Sequence, residues 1–577
     1  MKKLLIISLS LLSICSISQN GWTALTSSVI PILNQNIPGK YLGASWVDIN
    51  GDDRIDLFAA PNKLFLNNGN GTFTAIDTLN FTPIKNNGVD FVGGSSWADL
   101  NDDGLPDCVI ASEPSRVFKN NGNNTFADVS SQIPNLNAIP SWGCAIGDWN
   151  KDKFLDFYFA HASGFHSNLN TTGRLYLNTS SSITPTNKIN YAITDSLRPY
   201  TVPYWSDFDL DGDMDLFVAS GPGGTPGYDY CYRNLKIELG LDSLQRMTNS
   251  LFTQQKQDGQ CYNFIDYDND EDFDLCLTNY AGAVSKLYRN DSGTYTIVST
   301  PWSSTLPFLA NCWGDYDNDG DLDMVASSDN FSTRYYQNNG NGTFSFISGA
   351  LNLPAGSAGV VNGDYDNDGD LDLFVHGSNA ARTLFRNDTL AGNRKWVNIK
   401  FIGNPSNKSA IGTVIKTVAT INTFKTYQLR EINAQNSFQG QNDLRVHFGL
   451  GNATAVDTMY IKWPSGNTQT ITNINPNQFY TIIEGGSLSI ITSIKNQDHT
   501  IQDLTIYPNP TGNILFVESK TKAISERIEI YSLDGKKVMD LENHNGQIDA
   551  SKLKPGTYLM RFKLNEEYVS HKIVIEK

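Results

Sequence analysis

The sequence predicts an all-β chain: a seven-bladed β-propeller followed by two smaller β regions. Three observations predict it. A nine-residue acidic loop recurs seven times, with spacings of 51, 49, 59, 59, 49 and 49 residues. Each loop leads into short apolar runs of strand length, such as Leu216-Phe217-Val218 and Leu373-Phe374-Val375, and not into helical patterns. In the clearest units Asn-Gly turns precede a further strand, as at 68–73 and 339–344. Such pairs supply the positive φ that tight hairpins need. Four strands per unit at this period describe propeller blades.

The loops carry oxygen donors at positions 1, 3, 5 and 9. Loop 1 offers Asp48, Asn50, Asp52 and Asp56; loop 2, Asp99, Asn101, Asp103 and Asp107; loop 3, Asp148, Asn150, Asp152 and Asp156. Loop 4 offers Asp207, Asp209, Asp211 and Asp215; loop 5, Asp266, Asp268, Asp270 and Asp274; loop 6, Asp315, Asp317, Asp319 and Asp323; loop 7, Asp364, Asp366, Asp368 and Asp372. Alternate residues of a tight loop converge on one centre. Carboxylates crowded there repel each other unless a hard cation neutralises them. Donors that are all oxygen, with no His or Cys, select calcium over zinc. All seven loops are expected to be metal sites, up to seven calcium ions in all. An EF-hand would need Glu at position 12 and flanking helices, but position 12 is apolar in every loop, from Ala59 to Val375. Loop 3, with Lys151 and Lys153, is the weakest of the set.

Within a unit, the third strand ends in Asn, as in Leu64–Asn67, Leu175–Asn178, Leu287–Asn290 and Leu384–Asn387. Outer strands are expected near Phe73, Phe126, Tyr191, Phe252, Tyr295 and Phe344. After Asn387 the seventh unit has none. The N-terminal Gly21-Trp22-Thr23-Ala24 resembles Gly71-Thr72-Phe73-Thr74, so it is expected to supply the missing strand and close the ring, leaving no open edge.

These units resemble the FG-GAP or VCBS repeats of seven-bladed propellers such as integrin α subunits, over residues 19–390. Residues 391–486 contain Ala410-Ile411-Gly412, the run from Gln441 to Gly451, and Ile461-Lys462-Trp463-Pro464-Ser465-Gly466. They resemble the ASPIC/UnbV domain of proteins similar to cartilage acidic protein. Asp443, Arg445 and His447 there alternate as on one strand face, which reads as a surface pairing or a functional patch. Residues 487–500 read as a linker. Residues 501–577 carry Tyr507-Pro508-Asn509-Pro510 and strands joined by Asp534-Gly535 and Pro555-Gly556 turns, the pattern of a small β-sandwich. They resemble the C-terminal sorting domain of type IX secretion in Bacteroidetes. That resemblance implies passage through the type IX machinery, then secretion or attachment at the outer cell surface.

Residues 1–18, with Lys2-Lys3 before an apolar run from Leu4 to Ile17, read as a secretory signal peptide. No later stretch is long and apolar enough to span a membrane as a helix. The formal charge is -17. Seven divalent ions would bring it near -3, so the acidity reads as metal sites and argues against a nucleic-acid partner. Six cysteines follow the leader. An exported chain permits disulfides; buried thiols fit equally.

No zinc spacing, nucleophile elbow or phosphate loop occurs, so no catalytic residues are assigned. Two classes of function remain. One is a secreted or cell-surface binding or adhesion module for a glycan or protein. The other is a polysaccharide-acting lyase or hydrolase on a propeller scaffold. The long insert Gly221–Tyr228 is an expected ligand surface, and His161 and His166 lie in another.

Overall fold

Short β-prone runs bury their apolar side chains only by pairing and stacking. In the computed structural model seven four-stranded antiparallel sheets arise this way. The structure describes residues 21–491 and 504–575 apart from internal stretches, the longest being 162–172 and 186–199. Residues 1–18, which read as a signal peptide in the sequence, lie outside the described residues. Two compact units result, residues 1–491 and 492–577.

Blade 1 consists of Ala44–Val47, Asp56–Ala59, Lys63–Asn67 and Phe73–Ile76. Its inner two strands are buried throughout. The inner strands of the other blades are Val92–Ala98, Ser141–Gly147, Tyr200–Ser206, Gly259–Ile265, Asn311–Gly314 and Ser357–Gly363. Each acidic loop joins the first strand of its blade to the second. All seven therefore lie on one face of the ring, together with the turns between third and fourth strands.

The ring closes as expected. Trp22–Ala24 is the outer strand of blade 7, with Trp22 opposite Asn387 and Thr23 opposite Arg386. A second tie lies among the connections of the opposite face. The Arg382 guanidinium, buried, donates to the Ile32 and Gln35 carbonyls and to His376 Nδ1. His376 Nε2 in turn meets the Ala60 carbonyl at 2.9 Å. Burial and then the adjacent Arg382 push this imidazole down to about 3, so it stays neutral and donates from Nε2.

Two outer strands fall elsewhere than expected. Blade 4 ends with Leu244–Arg246 and not near Phe252, because a short helix, Lys236–Leu239, lengthens its last connection. Phe252 instead fills the core, 6.4 Å from Phe217 and from Phe264. Blade 3 ends with Ile183–Pro185; Tyr191 lies outside the described residues. Cys108, Cys144, Cys231, Cys261, Cys276 and Cys312 are buried free thiols, so the disulfides that their even number permits are not formed.

Residues 395–490 form two further sheets. One orders Val446–Gly451, Lys395–Ile402, Gln478–Ile483 and Leu488–Ile490; the other orders Phe424–Glu431, Val414–Ile421, Val456–Lys462 and Thr468–Ile474. Leu488–Ile490 is thus a strand where a linker is expected. This sandwich shares one hydrophobic core with blades 2 to 4: Val397, Ile399 and Trp463 belong to the same cluster as Trp149, Phe157 and Met214. In the second unit, a three-stranded and a four-stranded sheet enclose Leu515, Val517, Ile528, Ile530 and Ile573.

The channel along the propeller axis is filled by the segment following Glu431. Gln441 donates its backbone N–H to the Ala44 carbonyl, and its carbonyl accepts from Trp46. Its side chain accepts from the Trp97 N–H at 2.7 Å and donates to the Trp97 carbonyl at 3.1 Å. Ser96 Oγ donates to the Ala434 carbonyl, Asn433 Nδ2 to the Tyr204 hydroxyl, and Asn263 Nδ2 to the Asn436 carbonyl. The Val360 N–H donates to Ser437 Oγ and that of Asn362 to Asn442 Oδ1. The fit explains glycines on the inner strands: a Cβ on Gly94 would lie 2.7 Å from Gln439 Oε1. Inner strands leave polar groups facing the axis, and a buried polar group needs a partner. The plug supplies those partners.

Replacing Gln441 with Ala leaves the N–H and carbonyl of Trp97 without their plug partners. Each such orphan costs about 1–3 kcal/mol, so the expected loss is on the order of 2–4 kcal/mol, read from chemical denaturation in calcium buffer.

Candidate metal centre

Each loop folds around its own carboxylates. In loops 1, 2, 3, 6 and 7 the position-1 Asp accepts backbone N–H groups from positions 5 and 6: in loop 7, Asp364 Oδ1 accepts from Asp368 and Oδ2 from Gly369. Asp207 of loop 4 accepts from Gly212 and Asp266 of loop 5 from Asp270. The position-5 Asp caps the N–H of position 7, as Asp368 does for Asp370. Positions 4 and 6 are left-handed throughout. At position 6, Asp53, Lys153 and Glu271 have φ of 63°, 73° and 77°, within reach of an L-residue. The four glycines there have φ of 89° to 112°, where a side chain is disfavoured. The departures from Gly therefore follow the backbone and leave the loop intact.

The position-9 Asp and the Asn ending the third strand form a second device. The Asn N–H donates to Oδ1 of that Asp in all seven blades, from Asn67 to Asp56 through Asn387 to Asp372. Its Nδ2 then reaches the position-2 carbonyl of the preceding loop. Asn120 reaches Ile49, Asn178 Leu100, Asn234 Trp149, Asn338 Tyr267, Asn387 Tyr316, and Asn67 Tyr365 across the closure, at 2.6 to 2.9 Å. Asn290 reaches the Phe273 carbonyl of its own blade and, among the described residues, no carbonyl of the preceding loop. The recurring Asn was visible in the sequence, but its partners are two blades' carbonyls that only the ring brings together.

Loops 4 to 7 gather carboxylates tightly. Asp207, Asp209 and Asp211 place ligand oxygens within 4.8 Å of one another, as do Asp266, Asp268 and Asp274, Asp315, Asp317 and Asp323, and Asp364, Asp366 and Asp372. Several oxygens at these loops are buried and accept no hydrogen bond: Asp209 Oδ1, Asp215 Oδ2, Asp266 Oδ2, Asp268 Oδ1 and Asp366 Oδ1; in loop 3, Asp156 Oδ2 does the same. Two oxygens on one calcium lie at most about 5 Å apart, so spacing and orphaned oxygens both fit a hard cation. Loops 1 to 3 differ, having Asn at position 3. Asn101 Nδ2 donates to Asp107 Oδ2 and Asn150 Nδ2 to Asp152 Oδ2, while Arg54 pairs with Asp52 at 2.8 Å. Lys151 and Lys153 of loop 3 turn to the neighbouring loops, at Gly212 and Asp102.

The sandwich caps this face and brings cations to it. Lys400 Nζ lies 2.7 Å from Asp53 and 3.4 Å from Asp48, Lys462 3.4 Å from Asp207, and Lys416 2.8 Å from Glu271. Arg394 Nη1 lies 2.6 Å from Asp317. The expected surface grouping of Asp443, Arg445 and His447 instead packs against loop 7, with His447 buried and the side chains of Arg445 and Asp443 largely covered. Arg445 pairs with Asp443 and donates to the Asp364 carbonyl and Asn367 Oδ1, and His447 Nε2 meets the Gly369 carbonyl. Only His447 is on a strand, Val446–Gly451. Burial of loop 7 beneath the cap explains the difference.

Burial raises the carboxylates at the loops: Asp56 to about 8, Asp107 to about 7, Asp274 to about 9 and Asp266 to about 7. Neighbouring carboxylates add to the rise.

FG-GAP-like repeat models match residues 48–110, 99–159, 266–326 and 315–375; the ASPIC and UnbV model matches 403–489; the secretion system C-terminal sorting domain matches 505–576. The chain carries an FG-GAP-like propeller, an ASPIC and UnbV domain and a sorting domain. The sorting domain marks it for export to the cell surface or medium, and among the described residues no helix is long and apolar enough to cross a membrane. No curated protein matches the chain. Among solved structures it is similar to one of an Agrocybe aegerita lectin, described as recognising non-reducing terminal N-acetylglucosamine. Identity is 16%, the match covers 55% of this chain and 81% of that one, and the TM-score is 0.37. It is also similar to BBS1N in complex with ARL6DN (12%, 62% and 96%, 0.38) and to the Photorhabdus luminescens Tc holotoxin pore (13%, 62% and 16%, 0.31).

Two outcomes follow from the FG-GAP-like loops. Asn338→Ala orphans the Tyr267 and Leu322 carbonyls and is expected to cost about 2–4 kcal/mol. Asn290→Ala, which breaks no tie between blades, is expected to cost less; denaturant titration of both variants checks the order. The second concerns pH. A carboxyl raised from its ordinary 3.8 on folding stabilises the fold fully below that value, and the contribution is lost as pH rises through the folded value. In chelator the melting temperature should therefore fall between about pH 5 and about pH 9. Cations favour the ionised form, so the stabilisation gained on adding calcium should grow over the same window. Melting curves with and without chelator check this.

Proposed function

We propose that this exported propeller is a calcium-stabilised binding module for glycans, with two classes of ion site. Loops 4 to 7, with four carboxylates each, hold calcium more tightly than loops 1 to 3, with three, because affinity follows ligand charge. The ions hold the loops, and through the position-9 Asp and its Asn they hold the blades.

The observation that carries the binding reading is a cleft of about 770 Å³ between loops 5 and 6 and the hairpin tip of the ASPIC and UnbV domain. Phe424, 73% exposed, stands on that tip. Tyr427, Asn422, Asn452, Asp319 and Lys425 line the walls. The turn holds Asn422 at φ 48° and Thr423 at φ 74°, a left-handed pair that is costly for a β-branched residue. An exposed aromatic ring beside amides and charged groups in a cleft suits a sugar, whose apolar face stacks while its hydroxyls bond. The insert at Gly221–Tyr228 is the other candidate surface; 221–225 lie outside the described residues, as does His166.

Binding to a glycan array in calcium tests the reading. Phe424→Ala is expected to weaken the strongest glycan about tenfold, equivalent to about 1.4 kcal/mol, without lowering the melting temperature. Unchanged binding would remove the cleft from consideration. Release of shortened products from the same glycans would favour the polysaccharide-acting alternative.

A further inference from the structure

Blade 4 departs from its neighbours beside its acidic loop. Position 7 of loops 4 to 7 is Asp213, Asp272, Asp321 and Asp370. In loops 6 and 7 this Asp is taken by an amide from the preceding loop: Asn269 Nδ2 donates to Asp321 and Asn318 Nδ2 to Asp370, both at 2.6 Å. In loop 5, Asp272 accepts the Ser292 N–H. Loop 3 has Lys151 where those amides stand, and Lys151 donates to the Gly212 carbonyl instead. Asp213 therefore lacks the partner that loops 6 and 7 receive. It is 2% exposed. Its Oδ2 accepts the Ile237 N–H at 2.7 Å, while its Oδ1 accepts nothing.

The unit-4 helix Lys236–Leu239 brings a further carboxylate to the same place. Oxygens of Asp211, Asp213 and Glu238 lie within 4.8 Å of one another. Asp211 also belongs to the loop-4 set with Asp207 and Asp209. The local charge is unbalanced. Asp207, Asp209, Asp211, Asp213, Asp215 and Glu238 face three cations: Arg233, which pairs with Asp209, Asp211 and Glu238; Lys462, which pairs with Asp207; and Lys151. Among the described residues no ion pair within 4 Å reaches Asp213. The two groups of carboxylates have Asp211 in common and are otherwise distinct.

We propose that blade 4 holds a second hard divalent cation, bound by Asp211, Asp213 and Glu238, with Asp211 bridging it to the loop-4 site. Three carboxylates leave some of the six to eight positions of calcium open to water or to an oxygen ligand. Glu238 sits on the insert that also exposes Ile237, Leu239 and Leu241, so the ion ties that insert to the blade.

The test is calcium content per chain after stripping with chelator and equilibrium dialysis against calcium, for the full chain and two variants. Glu238→Gln alters an exposed residue and is expected to fold; Asp213→Asn removes the buried ligand. Each is expected to hold one calcium fewer than the unaltered chain. The difference is read whatever number the seven loops hold, so it does not depend on the loop reading. Equal calcium content in the Glu238→Gln variant and the unaltered chain would overturn the proposal, and so would loss of several ions from that variant.

Discussion

Like charges are not buried together without a counter-charge, and this chain buries them at seven points around a ring. Apart from Asp48, which is half-buried, the position-1 and position-9 carboxylates of the loops are almost wholly shielded from water; Asp364 and Asp372, for example, are both 0% exposed. Their hydrogen bonds shape the loop and grip the strand-end Asn. That Asn then grips the neighbouring blade. A change of charge at one loop is therefore a change in how two blades are joined. Blade 5 is the exception, since Asn290 stops at its own sheet.

The same face carries the ASPIC and UnbV domain, and its fit makes the two regions mechanically one unit. Its plug satisfies polar groups of the inner strands, and its lysines and arginines approach the loops from outside. Position matters to what each cation does. Lys400 and Lys462 touch position-1 carboxylates, whereas Lys416 pairs with Glu271, outside the ligand set. Ligand recognition through the axial channel is closed off by Gln439, Gln441 and their neighbours. That leaves the rim of the cap and the opposite face, with its inserts, as the surfaces open to a partner.

The blades were legible because each repeats a local chemistry: an acidic turn, then strands of alternating or wholly apolar character. The borrowed N-terminal strand was legible from a deficit, since the seventh unit ran out of strands before the pattern changed. What the sequence hid was non-local. Nothing around Gln441 marks it as the partner of Trp97, 344 residues away. Asp443, Arg445 and His447 have the spacing of an exposed strand face, yet loop 7 covers them. The outer strand of blade 4 is hidden because Phe252 is as apolar as the outer-strand aromatics of other units, while the helix before Leu244–Arg246 is only one turn long. Asp213 and Glu238 fall outside the nine-residue pattern and meet only when that helix folds back.

The most direct measurement is anomalous difference density from crystals of the mature protein grown in calcium and soaked with a lanthanide. The account predicts peaks at the centres of loops 4 to 7, among the position-1 and position-3 carboxylates with position 5 in loop 4 and position 9 in loops 5 to 7, stronger than any at loops 1 to 3. Loops 4 to 7 in the same conformation with no peak, their carboxylates neutralised by side chains alone, would contradict it.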